Sequence, residues 1–287
     1  MRLDMAGQVK RVTINDIRDM KQHGEKIAVL TAYDYSTAKI IDNCNIPIIL
    51  VGDSLGMVVL GYENALPVTM DDMIHHCKAV VRGATHALIV GDMPFMTYHV
   101  SVEDALRNAG RFIQEAGTQA VKLEGGVVVA EKINRIVDCG IPVMGHIGMT
   151  PQSINQFGGH LVQGKKLEAA QKLVDDAIAV EQAGAFSVVL ECIPLRLAAL
   201  ITQNINIPTI SIGAGPACDG QVLVTNDMLG LSDFSPKHSK QYAKLTDIMT
   251  QAVNAYRDDV KAGVFPTKEN SFIIDNDVLE QVKAKLH

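Results

Sequence analysis

The chain has 287 residues and a mass of 31.0 kDa, with 47% hydrophobic and only 20% charged residues, enough apolar material for one large buried core. Its net charge of -6 is spread without a long acidic or basic run, which leaves no electrostatic footprint for nucleic acid or an anionic membrane, so small-molecule partners are expected. Five scattered cysteines without a C-x-x-C pair, an amino terminus without the apolar core of a signal peptide, and no apolar run near the roughly 20 residues of a membrane span together imply reduced thiols in a cytoplasmic protein.

Taken in chain order, Thr13-Ile-Asn-Asp16 is a capping signal, and Ile14, Ile17 and Met20 share one helix face until Gly24; a helix here, ahead of any strand, is placed to plug a barrel from below. Lys26–Asp34 reads as a first strand and Ser36–Asn43 as a helix. Ile46-Pro-Ile-Ile-Leu-Val51 then leads into Gly52, Asp53 and Ser54, an apolar run of the kind buried on both faces in parallel sheets. The same design recurs five times, ending at Asp92, Glu124, His146, Glu191 and Gly213, and Gln221–Thr225 makes an eighth strand. Between them, Thr69 caps a helix to Arg82, Ser101 opens one that closes at Gly117, and further helices carry Val129–Val137, Leu167–Ala183 and about Ser239–Ala262. Ile147–Gly164 shows no periodicity and holds several glycines, as a lid loop over a site would.

Eight strands alternating with helices predict a (β/α)8 TIM barrel in one domain spanning 1–287, with its core at about 26–263, an N-terminal helix, and a C-terminal tail at 264–287. The rival doubly wound open sheet requires a glycine-rich turn after the first strand, where Tyr33-Asp-Tyr-Ser-Thr stands instead. In a barrel all strand ends converge on one catalytic rim.

Asp53, Asp92 and Glu124 end successive strands and are neighbours on one arc of that rim. Two carboxylates about 4 Å apart repel by roughly 4 kcal/mol at an effective dielectric of 20, so three together call for a cation or for raised pKa values. An all-oxygen set suits Mg2+. Any one of these acids alone could instead cap a helix or pair with an arginine. Lys122 leaves its strand on the same face as Glu124 and would meet either a substrate carboxylate or one of the acids. Glu191, alone across the barrel, is a candidate general base, and His146 is the one histidine at a strand end; His75, His76, His86, His99 and His160 fall on helices or loops. Cys192 alternates away from Glu191, toward the core, and Gly213-Ala-Gly215 could approach a phosphate or a substrate closely.

Leu50-Val-Gly-Asp-Ser-Leu-Gly56, Val121-Lys-Leu-Glu-Gly-Gly126, Gly145-His-Ile-Gly-Met-Thr-Pro-Gln-Ser153, Ile212-Gly-Ala-Gly215 and Asp219-Gly-Gln-Val-Leu-Val224 closely resemble the ketopantoate hydroxymethyltransferase family, from about Lys26 to Phe265. The resemblance implies a barrel of the phosphoenolpyruvate/pyruvate-binding type. It implies Mg2+ on Asp53, Asp92 and Glu124, keto-acid contacts from Asp53, Ser54, Asp92 and Lys122, His146 in the pocket, and Glu191 as proton acceptor. It further implies 5,10-methylenetetrahydrofolate as one-carbon donor, ketopantoate on the route to pantothenate as product, and a homo-oligomer, commonly a decamer. Asn226, His238 and Ala65 depart from the family's usual pattern, all away from the metal set. The alternative is a metal-dependent 2-oxo-acid carbon–carbon lyase or mutase of a related barrel family; the lyase motif Lys-Lys-Cys-Gly-His does not occur in this chain.

Overall fold

The computed structural model describes residues 10–159, 161–232 and 236–286; His160 lies outside them. Eight parallel strands form a closed barrel in sequence order: β1 Ile27–Thr31, β2 Ile48–Val51, β3 Leu88–Asp92, β4 Ala120–Glu124, β5 Val143–Gly148, β6 Ser187–Glu191, β7 Thr209–Ile212 and β8 Gly220–Leu223, with β8 pairing back onto β1. Every strand expected from the sequence is present, within two or three residues at its ends.

Two apolar layers follow from the alternation of side chains along each strand. Inward-facing Val29, Ile48, Leu50, Leu88, Val90, Met144, Val189 and Ile210 fill the barrel, and Ile17 of helix α1 (Ile14–Gln22) completes this inner cluster from below. The plug is capped as expected, with Thr13 and Asp16 forming a reciprocal capping box. Outward-facing Ile49, Val51, Ile89, Val121, Val143 and Leu190 pack beneath the surrounding helices. These include α2 Tyr35–Asn43, α3 Leu55–Val58, α4 Met70–Gly83, α5 Val102–Arg111 and α6 Ala130–Asp138. Then follow α7 Ile154–Phe157, α8 Leu167–Gln182, α9 Leu195–Asn204, α10 Thr225–Leu229, α11 Leu245–Ala262 and α12 Asn276–Lys283.

The differences from the sequence reading lie in loops and at helix ends. The loop after β5 contains a 3-10 turn at Pro151–Ser153 and the single turn of α7, both too short to show a helical period. The expected long last helix starts at Leu245 rather than near Ser239, and α9, preceded by Pro194, was not expected. The helix opened by Ser101 widens into a π-helical turn over Phe112–Ala116 before Gly117 ends it in the left-handed region.

That turn seats Phe112 directly on β3, where Gly91 leaves room for the ring: a Cβ at Gly91 would lie 2.4 Å from a ring carbon. Gly91→Ala is therefore expected to destabilise the fold by about 1–3 kcal/mol through overpacking. Gly110, inside α5 with open space at its Cβ position, makes the reference: Gly110→Ala should stabilise by about 0.5–1 kcal/mol. Urea unfolding of the two variants beside the parent checks both signs.

Candidate active site

Strand register brings the charged residues together at the carboxyl rim. Asp92 pairs with Lys122, Glu124 with His146, and Gly148 with Glu191 across neighbouring strands. Asp53 follows β2 through Gly52, whose Cβ would meet the Ser54 hydroxyl at 2.8 Å, so glycine lets the chain turn tightly against its own side chain. Asp53 donates its backbone N–H to Asp92 Oδ2 at 3.2 Å. Lys122 Nζ reaches both Asp92 oxygens, at 2.7 and 2.8 Å. All of these side chains are buried, Lys122 to 3% exposure.

Burial and neighbouring charge shift the titration of Asp53, Glu124, Lys122 and His146. Desolvation, reinforced by the neighbouring Asp92, pushes Asp53 up to about 7, against the opposing effects of Lys122 and Gln152. Glu124 is raised well above the ordinary carboxyl range by burial, with Lys122 opposing and Asp53 and Asp92 adding to the shift. Burial alone would discharge Lys122, but Asp92, Glu124 and Asp53 outweigh it and hold the ammonium charged. His146 falls to about 3, through burial first and Lys122 second, and is neutral at neutral pH.

The tautomer of His146 follows from its neighbours. Nε2 lies 3.1 Å from the carbonyl oxygen of Met149, which can only accept, so Nε2 carries the proton. The same nitrogen is 3.2 Å from Glu191 Oε2, while Nδ1 faces Glu124 Oε1 at 3.7 Å. With β6 four places from β2 around the ring, Glu191 stands opposite the acidic arc, near enough for its charge to act on Asp53. Ser54 shares a hydrogen bond with the buried hydroxyl of Tyr33, 2.9 Å away.

Asp53, Asp92, Lys122, Glu124, His146 and Glu191 therefore converge. Sequence reasoning missed Gln152 and Tyr98, both buried among them. Gln152 comes from the aperiodic loop after β5 and bonds Asp53, 99 residues away; its only signal was its place in the Gly145–Ser153 motif. Cys192, expected in the core, is only partly buried. The chain leaves β6 there with a positive φ of 49, which ends the alternation and turns the thiol toward Gly213, whose Cβ would lie 3.4 Å from Cys192 Sγ. His238 and Leu195 crowd Gly213 and Gly215 in the same way, so close packing accounts for both glycines.

The donor set suits a hard divalent cation. Four carboxylates face one lysine and a neutral histidine, the donors are all oxygen, and Glu124 Oε1 is a buried acceptor without a hydrogen-bond partner among the described residues. Among those residues no group of three His, Cys, Asp or Glu side chains is close enough to form a ligand cluster by itself.

The family model described as ketopantoate hydroxymethyltransferase matches residues 11–268. A curated 3-methyl-2-oxobutanoate hydroxymethyltransferase of Dehalococcoides mccartyi is 64% identical over 274 residues, covering 95% of this chain and 98% of that protein. One of Syntrophomonas wolfei is 57% identical over 273 residues, covering 95% and 99%. Among solved structures, phosphonopyruvate hydrolase in complex with oxalate and Mg++ superposes with a TM-score of 0.58 at 11% identity, over 95% of this chain and 96% of that one. A 2,3-dimethylmalate lyase of the PEP mutase/isocitrate lyase superfamily gives 0.56 at 13%, over 96% and 99%. At such identities the likeness shows the fold alone, a closed eight-stranded barrel.

The raised pKa of Asp53 makes stability depend on pH with a definite sign. The folded state holds this proton more tightly than the unfolded chain, so the contribution is complete below the ordinary carboxyl pKa of about 4 and is lost as pH rises through about 7. In chelator, Asp53→Asn should therefore gain stability over the parent as pH rises from 5 to 8. Denaturant midpoints of the pair across that range decide it; a constant difference would contradict the shift.

Proposed function

The chain belongs to the ketopantoate hydroxymethyltransferase family, and from that premise we propose that it converts 3-methyl-2-oxobutanoate to ketopantoate, with 5,10-methylenetetrahydrofolate as hydroxymethyl donor and Mg2+ as cofactor, in the cytoplasm. The observation that carries this reading is the division of the rim into a buried acid arc beside Lys122 and a carboxylate, Glu191, on the opposite wall.

Asp53 and Asp92, with Glu124 behind them, would hold the cation. Mg2+ so bound would polarise the keto group and stabilise the enolate charge, a contribution of several kcal/mol. Lys122 lies where it can meet the carboxylate of the keto acid while it stays paired with Asp92, and Ser54 adds a hydroxyl donor beside it. Glu191 then takes the single C3 hydrogen from the face away from the acids. His146, its Nε2–H held by the Met149 carbonyl, lies 3.2 Å from that carboxylate, and the neutral ring adds no positive charge to lower its basicity. The enolate carbon formed bonds to the methylene carbon as one of that carbon's two C–N bonds to tetrahydrofolate breaks. Water then supplies the hydroxyl oxygen as the second C–N bond breaks, and the protons from C3 and from water go to the two nitrogens of the departing tetrahydrofolate.

We extend the reading to a homo-oligomer of decameric size. The exposed apolar side chains Ile248, Met249, Val253 and Tyr256 along α11 support a contact between copies, and sedimentation velocity tests it. No helix among the described residues is long and apolar enough to cross a membrane.

Because C3 deprotonation precedes the folate step, wild type with Mg2+ and no folate should exchange the C3 hydrogen of the keto acid for solvent deuterium, observable by NMR in D2O. Glu191→Gln should bind the keto acid yet lose exchange and turnover together, by about 100-fold or more; exchange that survives would place the base elsewhere. Asp53→Ala and Asp92→Ala should each abolish the Mg2+-dependent part of keto-acid binding in calorimetry. Absence of folate-dependent product from wild type would sink the assignment.

A further inference from the structure

Gln152 belongs to no strand, yet it reaches residues at or just past the ends of three of them. Its Nε2 donates to Asp53 Oδ2 and to the Met93 carbonyl oxygen, each at 2.9 Å. Its Oε1 accepts the Tyr98 hydroxyl at 2.6 Å, and its backbone N–H donates to Glu124 Oε2 at 3.0 Å. The amide can sit only one way round, because a flip would set its oxygen against two acceptors. Tyr98 is fixed in turn: its oxygen accepts the backbone N–H of Glu124 at 3.1 Å, which leaves its own proton for Gln152. Both side chains are at least 96% shielded from solvent, where a directed network of this kind holds its members in a single arrangement.

The two acids of the arc that lack a lysine contact are thus held by one residue. Gln152 engages Asp53 Oδ2 with its side chain and Glu124 Oε2 with its main chain, which leaves the other Glu124 oxygen, Oε1, facing His146 Nδ1 at 3.7 Å. A neutral donor does this without adding charge: a lysine here would neutralise the acids, and an acid would add a further negative group.

We infer that Gln152 is a positioning residue that sets the spacing and orientation of the Asp53 and Glu124 carboxylates, with Tyr98 locking its amide. What those carboxylates then bind rests on the function proposed above. The 3-10 turn carrying Gln152 fastens the loop after β5 to the ends of β2, β3 and β4, so the order of that loop and the geometry of the acids are one property.

Gln152→Met preserves length and bulk but removes the amide, and Tyr98→Phe removes only the lock. Both are first checked for cooperative thermal unfolding, and Mg2+ is then titrated by calorimetry with and without the keto acid. Gln152→Met should weaken Mg2+ binding about 10- to 100-fold, as loss of hydrogen bonds to a charged group implies. Tyr98→Phe should weaken it by a smaller factor, and the double variant should fall no more than about twofold below Gln152→Met, because Tyr98 acts through Gln152. C3 hydrogen exchange should drop in parallel. Wild-type Mg2+ affinity in Gln152→Met overturns the inference, as do effects of the two substitutions that simply multiply. A wild type that binds Mg2+ but exchanges no C3 hydrogen overturns the proposed function instead, and the metal affinities still decide the role of Gln152. A wild type that binds no Mg2+ overturns both.

Discussion

One buried ion pair, Lys122 with Asp92, makes the rest of the rim possible. Its nitrogen lies within 2.8 Å of both carboxylate oxygens, and the two groups are 3% and 2% exposed. Removing one partner of a buried pair typically costs 3–5 kcal/mol, because the survivor is left charged in a poor solvent. Glu124 and Asp53, though not in contact with it, add their charge to that of Asp92 in keeping the same ammonium charged. Lys122 therefore cannot leave the acids without breaking their tolerance of one another, and the acids cannot discharge it. The cluster is a poor way to stabilise a fold and a good way to hold several carboxyl groups together at one rim.

The barrel isolates that strain from the parts that supply stability. Below the rim, β-branched and leucine side chains fill the interior with no buried charge among them, and α1 closes the floor. Close approaches at Gly91 and Gly145, where a Cβ would strike Phe112 and Val180, bring helices hard against the strands that carry Asp92 and His146. The site can thus keep crowded carboxylates because the strands that hold them are clamped from outside.

How much of this was legible in the sequence depended on the range of the interaction. A strand read from its apolar run carries its end residue with it, so Asp53, Asp92, Glu124, His146 and Glu191 fell on one rim once the barrel was inferred, and Lys122 followed from the two-residue period. Gln152 and Tyr98 sit on loops, where no period operates, and their roles come from contacts across 99 and 54 residues. Cys192 was misplaced because alternation was carried one residue past the end of β6, where the backbone turns into the left-handed region. Helix α9 went unseen because its apolar residues run nearly unbroken from Leu195 to Ile201, a pattern that hides the helical period.

The floor of the barrel has a consequence for how the chain reaches this structure. Lys21, in α1, donates to the carbonyl oxygens of Thr202, Ile205 and Ile207 and pairs with Asp219 at 3.0 Å, partners 181 to 198 positions downstream. During synthesis from the amino end, α1 can meet β1 at once, but the partners of Lys21 emerge much later. That lysine can reach these partners only once the chain through Asp219 has been made, the same stretch that precedes β8 and lets the ring close onto β1. The plug thus reports that the barrel is complete, and the slow, long-range step of assembly is written into the position of one lysine.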